Sequence, residues 1–137
     1  MSKSTDNDRN AHFLHSLLNP NSIAIYGANE NLLGNMGSQQ LLNILDNGYK
    51  GPVYPIHPRL ESVMGLQAYK TIEEIPIIPD LVIVVLPTRL IPQIFKEIGE
   101  KGVKNVVLVT AGFREVDNKS AEEEIKNIAN EYGFRFL

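Results

Sequence analysis

The stretch Ser22–Gly37, SIAIYGANENLLGNMG, decides the fold. An apolar strand runs straight into a glycine-punctuated loop and then a helix, the order by which α/β proteins aim backbone N–H groups and a positive helix end at a phosphate. The spacing is not the dinucleotide fingerprint G-x-G-x-x-G, because the positions that would be glycine after Gly27 are Asn29 and Leu32. Glycine returns only at Gly34 and Gly37, so the loop is expected to be longer and wider than the one that holds a nicotinamide dinucleotide.

Working outward, strand and helix patterns alternate. A short helix over Ala11–Leu18 carries Phe13, Leu14, Leu17 and Leu18 on one face and stops before Asn19-Pro20. After the glycine loop a helix is expected from Gly37 to Asn47 with Gly48 beyond its end, then a strand at Val53–Ile56. Val63–Tyr69 is expected to hold a short edge strand and Ile72–Ile75 a single helical turn. DLVIVVLP, apolar on both faces over Leu81–Leu86, has the pattern of a central parallel strand. Helix Leu90–Lys101 tolerates Pro92 in its first turn and ends at Gly102, and strand Asn105–Thr110 repeats the buried pattern. Ser120-Ala121-Glu122-Glu123 fits a capping box opening a helix to Tyr132, and Phe134–Leu137 reads as a final strand. Alternation with short connections implies a single α/β domain, a Rossmann-like doubly wound parallel sheet over 11–137.

Composition narrows the function. With 137 residues and 43% hydrophobic content there is enough for one core, and a net charge of −3 with interspersed charges gives no field to gather nucleic acid. Absence of cysteine removes thiol nucleophiles, disulfides and cysteine-based zinc sites, and the apolar runs are too short to span a bilayer. No signal-peptide core opens the chain, so a cytoplasmic setting is expected, without nucleic-acid or membrane partners. Polar Met1–Asn10 is expected to be a disordered or artificial tail, and the abrupt terminal strand points to a fragment of a longer protein.

Ligands of doubly wound sheets sit beyond the C-terminal strand ends. Those ends carry Gly27–Gly37, His57-Pro58-Arg59, Pro87-Thr88-Arg89 and Thr110-Ala111-Gly112-Phe113. Where a dinucleotide site keeps an acid for the ribose, this chain has Ile56-His57-Pro58-Arg59, and a guanidinium there suits a phosphorylated ribose. NADP and coenzyme A both meet that demand; the plainer alternative is that Arg59 is a solvated turn residue. Gly27 is expected to let backbone approach a pyrophosphate, so that Gly27→Val would lose ligand affinity more than fold. Asn29 and Asn31 can donate amide hydrogens to phosphate or ribose, Pro87 leaves an apolar shelf, and Thr88 suits the cap of the next helix. His12 and His15 share a helix face without partners to complete a metal site. His57 lies in the crevice with no nucleophile or orienting carboxylate beside it, so no catalytic residue is assigned.

Four segments in this order, LNPNSIAIYGAN, NGYKGPVYPIHPR, DLVIVVLP and GVKNVVLVTAGFRE, resemble the N-terminal CoA-binding domain of the NDP-forming acyl-CoA synthetases, relatives of the succinyl-CoA synthetase α subunit. The resemblance covers about Leu17 to Leu137. It implies coenzyme A across the strand ends, with Gly27, Asn29, Glu30 and Asn31 near the pyrophosphate and ribose, and Gly37 in the same wide loop. Arg59 would lie by the adenosine phosphate, Pro87 and Thr88 in a strand-end turn, and Val109, Thr110 and Ala111 beside the pantetheine arm. The family's Asn before the proline is His57 here. The family's phosphohistidine and nucleotide-activating domains have no counterpart in these residues. CoA or acyl-CoA and the remaining domains or subunits of a parent ligase are therefore the implied partners, and this chain alone is expected to bind without catalysing. An acetyltransferase fusion with a regulatory CoA-binding part is the variant the resemblance leaves open, and an NADP-binding dehydrogenase domain or redox sensor is the alternative.

Overall fold

The computed structural model describes residues 19–109 and 119–137. In chain order these form β1 (Ile23–Tyr26), α1 (Met36–Asp46), β2 (Val53–Ile56), β3 (Ser62–Val63), β4 (Leu66–Gln67), β5 (Leu81–Val85), α2 (Ile91–Lys101), β6 (Asn105–Val109), α3 (Lys119–Tyr132) and β7 (Arg135–Phe136). The expected helix over Ala11–Leu18, with His12 and His15, and the Thr110–Phe113 segment lie outside the described residues.

Five strands form one parallel sheet in the order β2-β1-β5-β6-β7. Side chains alternate along each strand, so β1 sends Ala24 and Tyr26 to one face and Ile25 to the other. On the first face Val82, Val84 and Val106 meet Ile91, Phe95 and Ile98 of α2 and Ile125, Ile128 and Ala129 of α3. Phe95 stacks edge-on against Phe134 and Phe136, with ring centroids 5.2 and 5.1 Å away. On the second face Ile25 and Ile83 meet Leu41 of α1 and Val63. Helices on both faces make the sheet doubly wound, as the alternation of patterns requires.

Three local expectations are corrected. The expected edge strand at Val63–Tyr69 is a tight hairpin of β3 and β4. Its turn residues Met64 (φ 50°) and Gly65 (φ 81°) both take the left-handed conformation that a two-residue hairpin loop demands, and Tyr69 then adds a single parallel bridge to Ile56. Thr88 does not cap α2. It opens a 3₁₀ turn with Pro87 at its N-cap, and the N-cap of α2 itself is Leu90, without a side-chain bond. Helix α3 already includes Lys119, which puts Ser120 inside the first turn and beyond the cap position.

Candidate functional site

From β1 the chain moves outward to β2, then crosses back over β1 to β5, so strand order reverses between β1 and β5. Loops leaving the two strands diverge there and open a crevice. A cavity of about 330 Å³ occupies it. One wall is the end of β1 from Tyr26 to Asn29, a second is Ile56, His57 and Pro58 after β2, and Leu86, Leu90 and Ile94 supply an apolar third. Lys70 and Glu97 complete the lining. A hollow of about 370 Å³ by Thr71 is lined by Glu73, Glu97 and Glu100 with one lysine, the wrong balance for a phosphate.

The glycine loop is built on itself. Gly27 has φ 98°, and a Cβ there would overlap the carbonyl oxygen of Val85 on β5. A Cβ on Gly37 would overlap the Gly27 carbonyl. These two glycines thus let the start of α1 pack directly on the turn after β1, whose residues line the crevice. The close approach expected between Gly27 and a ligand is first an approach between Gly27 and the protein's own backbone.

Ser38, fully buried, ties the loop to the helix. Its Oγ accepts from the Asn29 amide (2.9 Å) and has the Asn29 carbonyl (2.8 Å) and Asn35 Oδ1 (3.0 Å) as acceptors for its own proton. Asn35 caps α1 by accepting from the Ser38 amide at 2.7 Å. Asn29 Oδ1 accepts from the Asn31 amide at 2.7 Å, and Asn31 Oδ1 from the Gly34 amide at 3.2 Å. The carbonyl ends of both asparagines therefore shape the loop and leave their NH₂ groups as the donors for a ligand. Glu30 is turned elsewhere. Its Oε1 accepts from the Met64 amide at 2.6 Å and clamps the β3–β4 hairpin to the loop.

At the end of β2, His57 Nδ1 accepts from the amides of Arg59 (3.0 Å) and Leu60 (2.9 Å). Two donors converging on Nδ1 leave the ring proton on Nε2. An asparagine Oδ1 makes the same kind of turn, so asparagine at this position would keep that geometry. Burial, and then the neighbouring Arg59 charge, hold the His57 pKa below its ordinary value. Arg59 is exposed on this turn, outside the cavity lining.

Tyr26 contributes the one buried side-chain polar atom without a hydrogen-bond partner among the described residues, its hydroxyl. The residue is only 3% exposed and lines the cavity. Burial and then the Glu97 carboxylate push its pKa up, so it stays protonated. Burial likewise raises the Glu97 pKa, with Gln93 bonding against that and Glu100 adding to it.

The CoA binding domain family matches residues 21–137. The chain belongs to that family. Over 127 residues it is 42% identical to the Pyrococcus furiosus acetate–CoA ligase [ADP-forming] II subunit alpha, covering 90% of this chain and 27% of that one. Against the 4-hydroxybutyrate–CoA ligase [ADP-forming] of Nitrosopumilus maritimus it is 38% identical over 123 residues, 88% of this chain and 17% of the relative. The apo structure of the Ca. Korarchaeum cryptofilum dinucleotide forming acetyl-coenzyme A synthetase 1 superposes with a TM-score of 0.86 at 39% identity, covering 90% of this chain and 27% of that one. The chain spans 16% to 27% of the length of the first curated relatives it matches. Over that part it is similar to ADP-forming acid–CoA ligases, and the dehydrogenase alternative is not favoured.

Within this CoA-binding domain, Gly27 and Asn29 line the cavity and Gly37 backs the loop, while Asn31 and Arg59 stand on neighbouring turns. Pro87 and Thr88 follow the cavity residue Leu86, and Val109 ends β6 in register with Val85. Thr110 and Ala111 lie outside the described residues. Sequence reasoning missed Tyr26, Ser38, Lys70 and Glu97. Asn35 followed three residues later by Ser38, a polar cap ahead of an apolar run, was the available signal for Ser38.

Proposed function

We propose that this domain holds coenzyme A across the C-terminal edge of its sheet, as one part of a longer cytoplasmic ADP- or GDP-forming acid–CoA ligase or of a related acetyltransferase fusion. The observation that carries the reading is a cavity at the β1/β5 reversal lined by the glycine turn on which the Asn-capped helix α1 packs, in a chain of the CoA binding domain family. The residues fit such a ligand. The start of α1 and the NH₂ groups of Asn29 and Asn31 would take the pyrophosphate and ribose, and Arg59 the 3′-phosphate. Leu86, Pro87 and Thr88 would flank the nucleotide, and Val109 with Thr110 and Ala111 the pantetheine arm. Bound CoA supplies the thiol that an acid–CoA ligase acylates; the chain's own contribution is to bind and orient it. Relatives act on acetate or 4-hydroxybutyrate, and the acyl group of this protein's parent is not fixed by these residues.

A double cycle tests the reading. CoA and 3′-dephospho-CoA are titrated calorimetrically against wild type and Arg59→Ala, with NADP as a third ligand. Because Arg59 is exposed, its loss should weaken CoA binding by about 1 kcal/mol, roughly fivefold. The loss should nearly vanish with 3′-dephospho-CoA, since both changes remove one contact. Additive losses would show that Arg59 and the phosphate do not meet. Preferential NADP binding would return the chain to the dehydrogenase alternative.

A further inference from the structure

The Tyr26 hydroxyl has no evident reason to be where it is. A buried hydroxyl without a partner costs about 1–3 kcal/mol, and phenylalanine would fill the same space between the sheet and α2 at no such cost. Tyr26 is 3% exposed, its ring belongs to the core of that face, and its hydroxyl is unpartnered at a cavity whose apolar walls are Ile56, Leu86, Leu90 and Ile94, with Asn29, His57 and Lys70 also in its lining. Glu97, one helical turn beyond Ile94 on α2, brings a carboxylate to the same cavity. Between two apolar walls, the Tyr26 hydroxyl is a donor with no partner in the protein and Glu97 is the carboxylate acceptor of the same cavity.

That combination matches one chemical pattern. Adenine has two apolar faces and an edge on which a ring-nitrogen acceptor lies beside an exocyclic amino donor. Resting on the coenzyme A reading above, we propose that Tyr26 and Glu97 are the specificity-determining pair for the adenine base, Tyr26 Oη donating to a ring nitrogen and the Glu97 carboxylate accepting from the amino group. A pantetheine amide points its N–H and its carbonyl to opposite sides and has no flat apolar faces, whereas adenine presents acceptor and donor side by side on one edge, so the base occupies this cavity. The hydroxyl is costly in the empty domain and useful in the occupied one.

Tyr26→Phe separates the two states. Removing an orphaned hydroxyl leaves the thermal midpoint of the empty domain unchanged or raised, and weakens CoA binding roughly fivefold to tenfold, opposite signs that a merely structural tyrosine would not give. Adenosine 3′,5′-bisphosphate and inosine 3′,5′-bisphosphate supply the second arm. Wild type should prefer the adenine ligand roughly tenfold, because a 6-oxo group would face the Glu97 carboxylate. Glu97→Gln, whose amide can donate to that oxygen, should narrow the preference. If Tyr26→Phe lowers the midpoint and leaves CoA affinity as in wild type, or if wild type binds both bisphosphates equally, the base-reading pair is overturned while CoA binding stands. If wild type does not bind CoA at all, both readings fall.

Discussion

The two edges of the sheet differ by one unpartnered buried group among the described residues. At the N-terminal edge, Ser22 and Asn105 are 5% and 7% exposed, and each is paired across the strands with Asp80. Ser22 Oγ accepts from the Asp80 amide at 2.9 Å, Asn105 Nδ2 donates to the Asp80 carbonyl at 3.3 Å, and Asp80 Oδ2 accepts from the Asn21 amide at 3.0 Å. At the C-terminal edge the Tyr26 hydroxyl is buried without a partner beside a cavity, and Leu33 stands 96% exposed on the glycine loop. The N-terminal edge is finished by the protein itself; at the C-terminal edge Ser38, the loop asparagines and His57 are likewise satisfied within the chain, and the Tyr26 hydroxyl is left over. Folding accounts for every one of these groups except that hydroxyl, which the proposed contact with adenine assigns to binding.

The largest effect should come where the two demands meet, at Gly27. A valine there combines positive φ with overlap against the Val85 carbonyl, so Gly27→Val should cost about 3–5 kcal/mol of stability, a large share of what a domain of this size holds. Fold and ligand binding are then lost together, in contrast to the selective loss of affinity expected from the sequence. Circular dichroism with denaturant titration measures it. A variant as stable as wild type would show that the turn can open away from β5.

A smaller and more selective change sharpens the contrast. Ser22→Ala leaves the Asp80 amide without its acceptor and should cost about 1–2 kcal/mol in denaturant unfolding, with CoA affinity as in wild type. A drop in affinity would mean that the finished edge is coupled to the ligand edge.

The smallest effect is a pH slope at His57. Its neutral Nδ1 accepts two amides, and its pKa lies below the ordinary 6.5. In the window between the lowered folded value and 6.5 the unfolded chain binds more protons, so stability is full above 6.5 and falls as pH drops through that window. His57→Asn keeps an acceptor for both amides without titrating, and should flatten the slope. An unchanged slope in that variant would assign the acid sensitivity to another group.

How much of this the sequence revealed follows the physics of each signal. Buried parallel strands announce themselves as apolar runs, so β1, β2, β5 and β6 were legible to within a residue or so, and α2 was legible from its apolar period and from Gly102. The hairpin at Met64-Gly65 was not, because it depends on a methionine with positive φ, which no propensity favours. Gly27 and Gly37 were legible as loop glycines, but their first task is backbone packing, of Gly27 on Val85 of the distant β5 and of Gly37 on Gly27. Tyr26 was read as a strand residue because its ring does belong to the core; whether its hydroxyl finds a partner is a property of the folded surroundings. Lys70 and Glu97 reach the cavity from a connection and from a helix side, positions that a scan of strand ends passes over.

The most direct test of the contrast between the edges is amide hydrogen exchange of the chain with and without saturating CoA, read segment by segment. Protection should rise over 27–39, 56–60 and 86–90, and stay unchanged around Ser22, Asp80 and Asn105. Protection gained at the N-terminal edge, or spread evenly over the sheet, would contradict the assignment of ligand binding to the C-terminal edge.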